Sequence, residues 1–285
     1  MDGVCGYRLV KLACGAFSVH SLAEDETFHP VIGPVAEAEA LYVRQLRLLE
    51  RVRAHPGEFV VWDVGLGAAA NAITVLRHTR SVRRPLRMVS FDHTLAPLRF
   101  AVAHARELGY LDGYECILEE LLRVPCTAFC DGGRPVHWEV HRDDFPALIS
   151  SPAATRLPCP DAILFDAFSP AKNPAMWTLP LFTRLFGLLD ASRPCALATY
   201  SRSTMLRVTL LLAGFFVGSG HATGEKEETT LAANLASLIE EPLDRRWLAR
   251  ARRSNSAEPL REAVYRQAGL SDDSWERLLA HPQFR

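Results

Sequence analysis

Between residues 59 and 200 the chain alternates short apolar runs with stretches of helical periodicity, and four of the runs end at aspartates. F-V-V-W-D covers 59–63, L-R-M-V-S-F covers 86–91 before Asp92, V-H-W-E-V-H covers 136–141 before Asp143 and Asp144, and D-A-I-L-F-D covers 161–166. Ala162, Ile163, Leu164 and Phe165 form a continuous apolar run, which suits a parallel strand buried on both faces. A β-α-β-α series of buried strands implies an α/β fold, a doubly wound and mostly parallel Rossmann-like sheet with helices on both faces. Helices are expected over 68–78, 96–108, 180–189 and 204–213, with a short one ending at Ile149. A fifth strand is expected over 195–200, a sixth over 214–218 and a seventh over 228–233. The last two, joined by a short turn, form an antiparallel terminal pair.

Three segments follow from this frame. Residues 1–57 read as a preface: strands, a turn at His29-Pro30-Val31-Ile32-Gly33-Pro34, and a helical pattern over 35–52 with Gln45 as a polar interruption on its apolar face. It serves as a lid or an edge cover, and the sequence favours the cover. Residues 58–234 form the sheet domain. Residues 235–285 read as a helical, basic extension with Arg245, Arg246, Arg250, Arg252 and Arg253. Residues 110–135, rich in Cys, Gly and Pro, read as an irregular loop.

Ligands of an open parallel sheet bind beyond the carboxyl ends of its strands, where all four aspartates are delivered. The densest cluster is D-A-F-S-P-A-K-N-P-A-M-W, from Asp166 to Trp177. A carboxylate at a strand end is followed there by Phe168, two prolines, Lys172, Asn173 and Trp177, which describes a stiff loop built for chemistry rather than a plain helix cap. The first strand runs into D-V-G-L-G-A-A-A-N, where Gly65 and Gly67 permit a tight turn and close backbone approach at a helix start. A phosphate-gripping G-K-[ST] ending is missing, but G-x-G-x-x-A keeps a nicotinamide dinucleotide open. Asp63 argues against it, because a carboxylate at the loop mouth opposes a pyrophosphate and suits the sulfonium and ammonium of S-adenosyl-L-methionine. Asp92 can accept from ribose hydroxyls in either cofactor, and Asp143 or Asp144 from an adenine amino group. Asp166 is placed to take or hold a proton of an amine nucleophile. Each aspartate alone also reads as an N-cap.

The motif from Asp166 to Trp177 resembles the signature of the MnmC/MnmD-type methyltransferase domain family, Asp-Gly-Phe-x-Pro-x-x-Asn-Pro-x-x-Trp. Asp166, Phe168, Pro170, Asn173, Pro174 and Trp177 match it. The glycine loop, L-A-T-Y-S at 197–201, G-E-K-E-E-T-T-L-A at 224–232 and H-P-V-I-G-P-V-A-E-A at 29–38 are similar to further family segments, the last to the stand-alone branch that lacks a flavin oxidase domain. The resemblance implies methyl transfer from S-adenosyl-L-methionine to the amine of 5-aminomethyl-(2-thio)uridine at the tRNA wobble position. It makes Asp166 the catalytic carboxylate, with Phe168 and Asn173 beside it, and Asp63, Gly65, Gly67, Asn71, Asp92 and Asp144, with Asp143 adjacent, the cofactor site. Phe168, Lys172, Trp177 and Lys226 are the substrate-side candidates. Ala69 and Ala167 stand where the family has glycine, and Asp92 where Glu is common. A methyltransferase of this fold on another amine, and a nicotinamide oxidoreductase, are the alternatives.

The remaining features exclude more than they assign. Net charge is −1, so no global field draws the chain to nucleic acid or a membrane. The basic run from Arg77 to Arg87 joins a helix to the next strand, at the end of the sheet away from the active mouth. Contact with tRNA is therefore expected to be local, with the C-terminal arginines as candidates for phosphate. The seven cysteines are odd in number and scattered, with no second pair to complete a zinc site, which suits free thiols in a reducing, cytoplasmic compartment. No run approaches the ~20 apolar residues of a membrane span.

Overall fold

The computed structural model describes residues 6–222 and 228–285. An antiparallel meander comes first, β1 (Tyr7–Lys11), β2 (Phe17–Ser21) and β3 (Glu26–Thr27). The main sheet comprises β4 (Phe59–Val64), β5 (Leu86–Asp92), β6 (Cys126–Asp131), β7 (Arg134–Arg142), β8 (Ala162–Phe165), β9 (Ala196–Thr199), β10 (Phe216–Gly220) and β11 (Thr229–Ala233). Its order is β10-β11-β9-β8-β4-β5-β7-β6, a Rossmann-like doubly wound arrangement. Neighbours from β9 through β7 pair in parallel, whereas β11 runs antiparallel to both β9 and β10.

Burial on both faces explains why the central strands are continuously apolar. In β4, Phe59 and Val61 point into one hydrophobic layer while Val60, Trp62 and Val64 point into the other. Ala162 and Leu164 of β8 join the first layer, and Ile163 and Phe165 the second. Each large side chain fully buried in this way contributes about 1.5–3 kcal/mol. The helices Leu179–Gly187 and Thr204–Ala213 cover the second layer, and the helix Ala70–Thr79 the first.

Several elements depart from the sequence expectation. Residues 110–135 are not an irregular loop: they hold the helix Glu115–Leu121 and strand β6, which forms a hairpin with β7. The two-residue turn Gly132-Gly133 has φ of 61° and 85°, the left-handed pair that a tight hairpin demands. Tyr110, Leu111, Tyr114, Leu118 and Leu121 bury there, so the segment is an edge of the sheet and its cover. The helix expected over 96–108 breaks into Ala96–Ala103 and Ala105–Leu108. His104 leaves helical geometry at the break and stacks its ring on Phe100 at 4.1 Å. The sixth strand starts at Phe216 rather than Gly214, because Gly214 caps the preceding helix at φ 113°.

The preface helix is likewise discontinuous: Pro34–Ala38 is α-helical, Glu39–Arg44 is a π-helical turn, and Arg47 at φ 51° separates it from Leu48–Ala54. Gln45 is buried where the pattern showed an interruption. Its Oε1 accepts from Thr229 Oγ1 at 2.7 Å and from the His221 amide at 3.0 Å, tying the preface to the start of β11 and the end of β10. The C-terminal segment packs on the second layer through Trp247, Leu248, Leu260, Leu278 and Phe284. No helix among the described residues is long and apolar enough to cross a membrane.

Candidate active site

A cavity of about 730 Å³ opens at the carboxyl ends of β4, β5 and β8, within the size of small-molecule sites. Its floor is the turn after β4. Gly65 and Leu66 both donate their amides to the Phe91 carbonyl, at 3.0 and 3.2 Å, which folds the turn against β5. Gly65 has φ 97°, and a Cβ there would lie 2.5 Å from the Asp166 carbonyl oxygen. The glycine is thus required by the neighbouring strand end, not only by a ligand. Gly67, at φ 51°, donates its amide to Asp92 Oδ2 at 2.9 Å. Ala69 holds φ 62°, a left-handed position that explains the glycine of related loops and strains the alanine.

Asp166 follows β8 with its amide bonded to the Val64 carbonyl at 2.9 Å, so its backbone belongs to the sheet. Its Oδ2 accepts from Asn71 Nδ2 at 2.7 Å and lies 3.8 Å from His29 Nε2. The loop beyond is closed by Ser169, whose carbonyl accepts the amides of Lys172 and Asn173 at 2.9 and 2.8 Å. Phe168, Lys172 and Asn173 line the cavity. Trp177 does not. It is fully buried, donating Nε1–H to the Phe168 carbonyl at 2.8 Å and meeting Phe165 and Tyr200 edge-on. Its expected place as a wall for the substrate is corrected to that of a brace behind Phe168, because its indole donor is satisfied from inside the core.

Asp63 also sits elsewhere than expected. It is fully buried beneath the glycine turn and outside the cavity lining, with Oδ2 accepting from Ser90 Oγ at 2.9 Å and Oδ1 unpartnered among the described residues. Burial pushes its carboxyl up to about 8, against the pull of the Ser90 hydrogen bond and with the help of nearby Asp166 and Asp92. A carboxylate facing a sulfonium at the mouth is therefore not what this residue supplies. Asp92 Oδ1 accepts from the Thr94 amide at 3.2 Å and lies 3.3 Å from His93 Nδ1. That contact raises the His93 pKa, against the opposing pull of partial burial. Asp144 is an N-cap in fact: its Oδ1 accepts from the Ala147 amide at 2.8 Å at the start of Phe145–Ser150. Asp143 and Asp144 are exposed and both line the cavity. Lys226 lies outside the described residues.

The structure adds a wall that sequence reasoning did not assign. Tyr7 and residues 24–30 line the cavity from the meander, and Glu37 from the helix Pro34–Ala38. Ser169 Oγ donates to Glu26 Oε1 at 2.5 Å, and Phe28 packs on Phe168 at 5.7 Å, so the preface clasps the loop after β8. It is a lid as well as a cover. Tyr200 donates its hydroxyl to the Ala167 carbonyl at 3.0 Å, and burial, with Asp166, Glu26 and Glu37 nearby, holds its pKa well above that of free tyrosine. The turn chemistry of H-P-V-I-G-P and the family-like segment 29–38 were the signals that marked His29. The basic run after the first helix stands at the other end of the sheet, as expected. There Arg80 pairs with Asp131 at 3.3 Å, Arg87 pairs with Glu58 at 2.9 Å, and Arg77 lies over Tyr114.

The cavity suits a cationic cofactor. Carboxylates of Glu24, Asp25, Asp92, Asp143, Asp144 and Asp166 surround it, Asn71 Oδ1 is buried and unpartnered among the described residues, and the Gly67 amide is already engaged by Asp92 rather than free for a phosphate. Fold and site are those of an S-adenosyl-L-methionine-dependent methyltransferase. A family profile described as S-adenosyl-L-methionine-dependent methyltransferase matches residues 143–235. The tRNA 5-methylaminomethyl-2-thiouridine biosynthesis bifunctional proteins MnmC of Pseudomonas putida and Ectopseudomonas mendocina are 27% and 30% identical to it, over 92% and 82% of this chain. The chain spans only 39% and 35% of their lengths. The crystal structure of MNMC2 from Aquifex aeolicus is similar over 96% of this chain and 83% of that one, with a TM-score of 0.71 and 26% identity. Over most of its length the chain is thus similar to the methyltransferase part of MnmC-type proteins. Among the described residues no cluster of His, Cys, Asp and Glu is arranged to hold a metal.

Proposed function

We propose that this protein methylates the primary amine of 5-aminomethyl-(2-thio)uridine at the wobble position of tRNA, with S-adenosyl-L-methionine seated over the Gly65–Gly67 turn. The cofactor, when bound, supplies an electrophilic methyl group on a sulfonium. Asp92, Asn71, Asp143 and Asp144 would hold it, through hydroxyl, ammonium and amino donors that match their acceptor oxygens. The observation that carries the reading is the Asp166 carboxylate, fixed by β8 and by Asn71 and facing the cavity with 17% of its side chain exposed. An alkylammonium offers three donors and one positive charge to it. Asp166 binds that charge, accepts one proton and leaves the nitrogen lone pair directed at the mouth. Phe168 and Phe28 form an apolar wall against which a uracil ring can stack. The MnmC relatives, named for tRNA 5-methylaminomethyl-2-thiouridine biosynthesis, support the choice of nucleoside.

The test is incubation of the purified protein with S-adenosyl-L-methionine and tRNA bearing aminomethyl-uridine, followed by mass analysis of the nucleosides. Conversion to methylaminomethyl-uridine is expected. Cofactor binding without any methyl gain on this tRNA, together with methyl gain on another amine, would reassign the substrate.

A further inference from the structure

Asp166 needs an outlet for the proton it takes, and the structure offers a neighbour that can receive one. Among the described residues, Asp166 Oδ2 has Asn71 Nδ2 at 2.7 Å, which cannot accept a proton, and His29 Nε2 at 3.8 Å, which can. His29 comes from the lid rather than the sheet. Its backbone is held at φ 48°, a left-handed position that costs a non-glycine residue about 1 kcal/mol or more. The turn is over-determined by its neighbours: Phe28 donates its amide to the Val19 carbonyl at 2.8 Å, Ser18 Oγ donates to the Phe28 carbonyl, and Glu26 is bound by Ser169. The ring is 9% exposed and lines the cavity, so a strained turn aims a titratable group at the catalytic carboxylate.

We propose that His29 is the proton-relay residue of the site, carrying one proton per turnover from Asp166 to the cavity mouth. This rests on the amine reading of the site. The substrate enters as R–CH2–NH3+ and gives one N–H proton to the Asp166 carboxylate. The resulting acid passes that proton to the unprotonated Nε2 of His29, once the 3.8 Å separation closes to hydrogen-bond length. Asp166 is then ionised again and His29 is an imidazolium. The amine lone pair forms the new N–C bond while the methyl's bond to sulfur breaks, its electron pair staying on sulfur, and the product leaves as R–CH2–NH2+–CH3. The groups that line the cavity around His29 are Asp25 and Glu26 on its own segment, Glu37 from the helix Pro34–Ala38, Asp166 and Lys172 from the β8 loop, and Tyr200 after β9. Negative charge outnumbers the single ammonium, so an imidazolium formed there lies among opposite charges.

Two measurements test the relay. The first needs no substrate: the ring chemical shifts of His29 are compared by NMR in the wild-type protein and in Asp166→Asn at one pH, and they are expected to differ because the ring loses the carboxylate 3.8 Å away. The second is single-turnover methylation of aminomethyl-uridine tRNA. His29→Gln, which keeps hydrogen bonding but carries no proton, is expected to lose roughly 10–100-fold in rate with cofactor and tRNA affinities held within about threefold. His29→Gly, whose residue suits the left-handed turn, is expected to regain rate when free imidazole is added. Unmoved His29 ring shifts in Asp166→Asn, a His29→Gln rate near wild type, or a His29→Gly loss that imidazole does not restore would overturn the proposal. A wild-type protein inactive on this tRNA refutes the substrate reading instead, while the ring shifts still decide whether His29 senses Asp166.

Discussion

Replacing Asp63 by asparagine removes an acid whose charged form the fold disfavours. The residue is fully buried in β4, its carboxyl is pushed up to about 8 from the ordinary 3.8, and Ser90 is its one hydrogen-bond donor among the described residues. Trp138 Nε1 in turn donates to Ser90 Oγ at 3.0 Å, so the hydroxyl is oriented toward Asp63 Oδ2. The asparagine of Asp63→Asn would accept the same hydrogen bond and stand in for the protonated acid. An acid whose folded pKa is raised binds more protons folded than unfolded, so wild-type stability is full below about pH 4 and falls as pH rises toward 8. Each pH unit inside that window costs about 1.4 kcal/mol, hence up to about 3 kcal/mol between pH 5 and pH 7. The assay is urea unfolding of both proteins at pH 5, 7 and 9 without cofactor. The stability of Asp63→Asn relative to wild type should grow by about that amount from pH 5 to 7 and level off above pH 8. A difference independent of pH would show that Asp63 is ionised or hydrated in the fold, and would refute the placement of a neutral-leaning acid beneath the turn.

Three further outcomes follow from the site. Asp166→Asn keeps the shape at Asn71 but loses charge and basicity, so turnover on aminomethyl-uridine tRNA should fall by ~10² or more while calorimetry shows little change in cofactor affinity; near wild-type rates from pH 6 to 9 would reduce it to a structural cap. Gly65→Ala puts a Cβ 2.5 Å from the Asp166 carbonyl, whereas Gly67→Ala puts one 3.2 Å from the Phe28 ring edge. The first should therefore cut turnover by ~10² through displacement of Asp166, and the second should act mainly on the lid and cost far less; equal losses measured side by side would contradict this. Ala69→Gly relieves a left-handed alanine at φ 62° and should raise stability by about 0.5–1 kcal/mol in denaturant titration, the strain relieved exceeding the entropy cost of glycine.

Much of this protein was determined by its sequence alone. Uniformly apolar strands such as 162–165 admit burial on both faces and little else, and their alternation with helical patterns implies a parallel sheet whose carboxyl ends gather Asp92, Asp144 and Asp166. The Asp166 motif and the Gly65–Gly67 turn were legible because chemistry and backbone geometry there demand residue types that propensity would not select. Tertiary structure decided the rest. Asp63 and Trp177 were assigned to the cavity because a sequence shows which residue ends a strand but not which layer its side chain enters; packing sends Asp63 under the turn and Trp177 behind Phe168. The strand β6 was hidden because an edge strand buries only alternate residues, and its Cys-rich composition resembled a loop. The lid was hidden for a different reason. His29 and Glu26 lie 137 and 143 residues from Asp166 and Ser169, the partners they reach, and no local pattern encodes a contact that only the folding of the whole chain brings together.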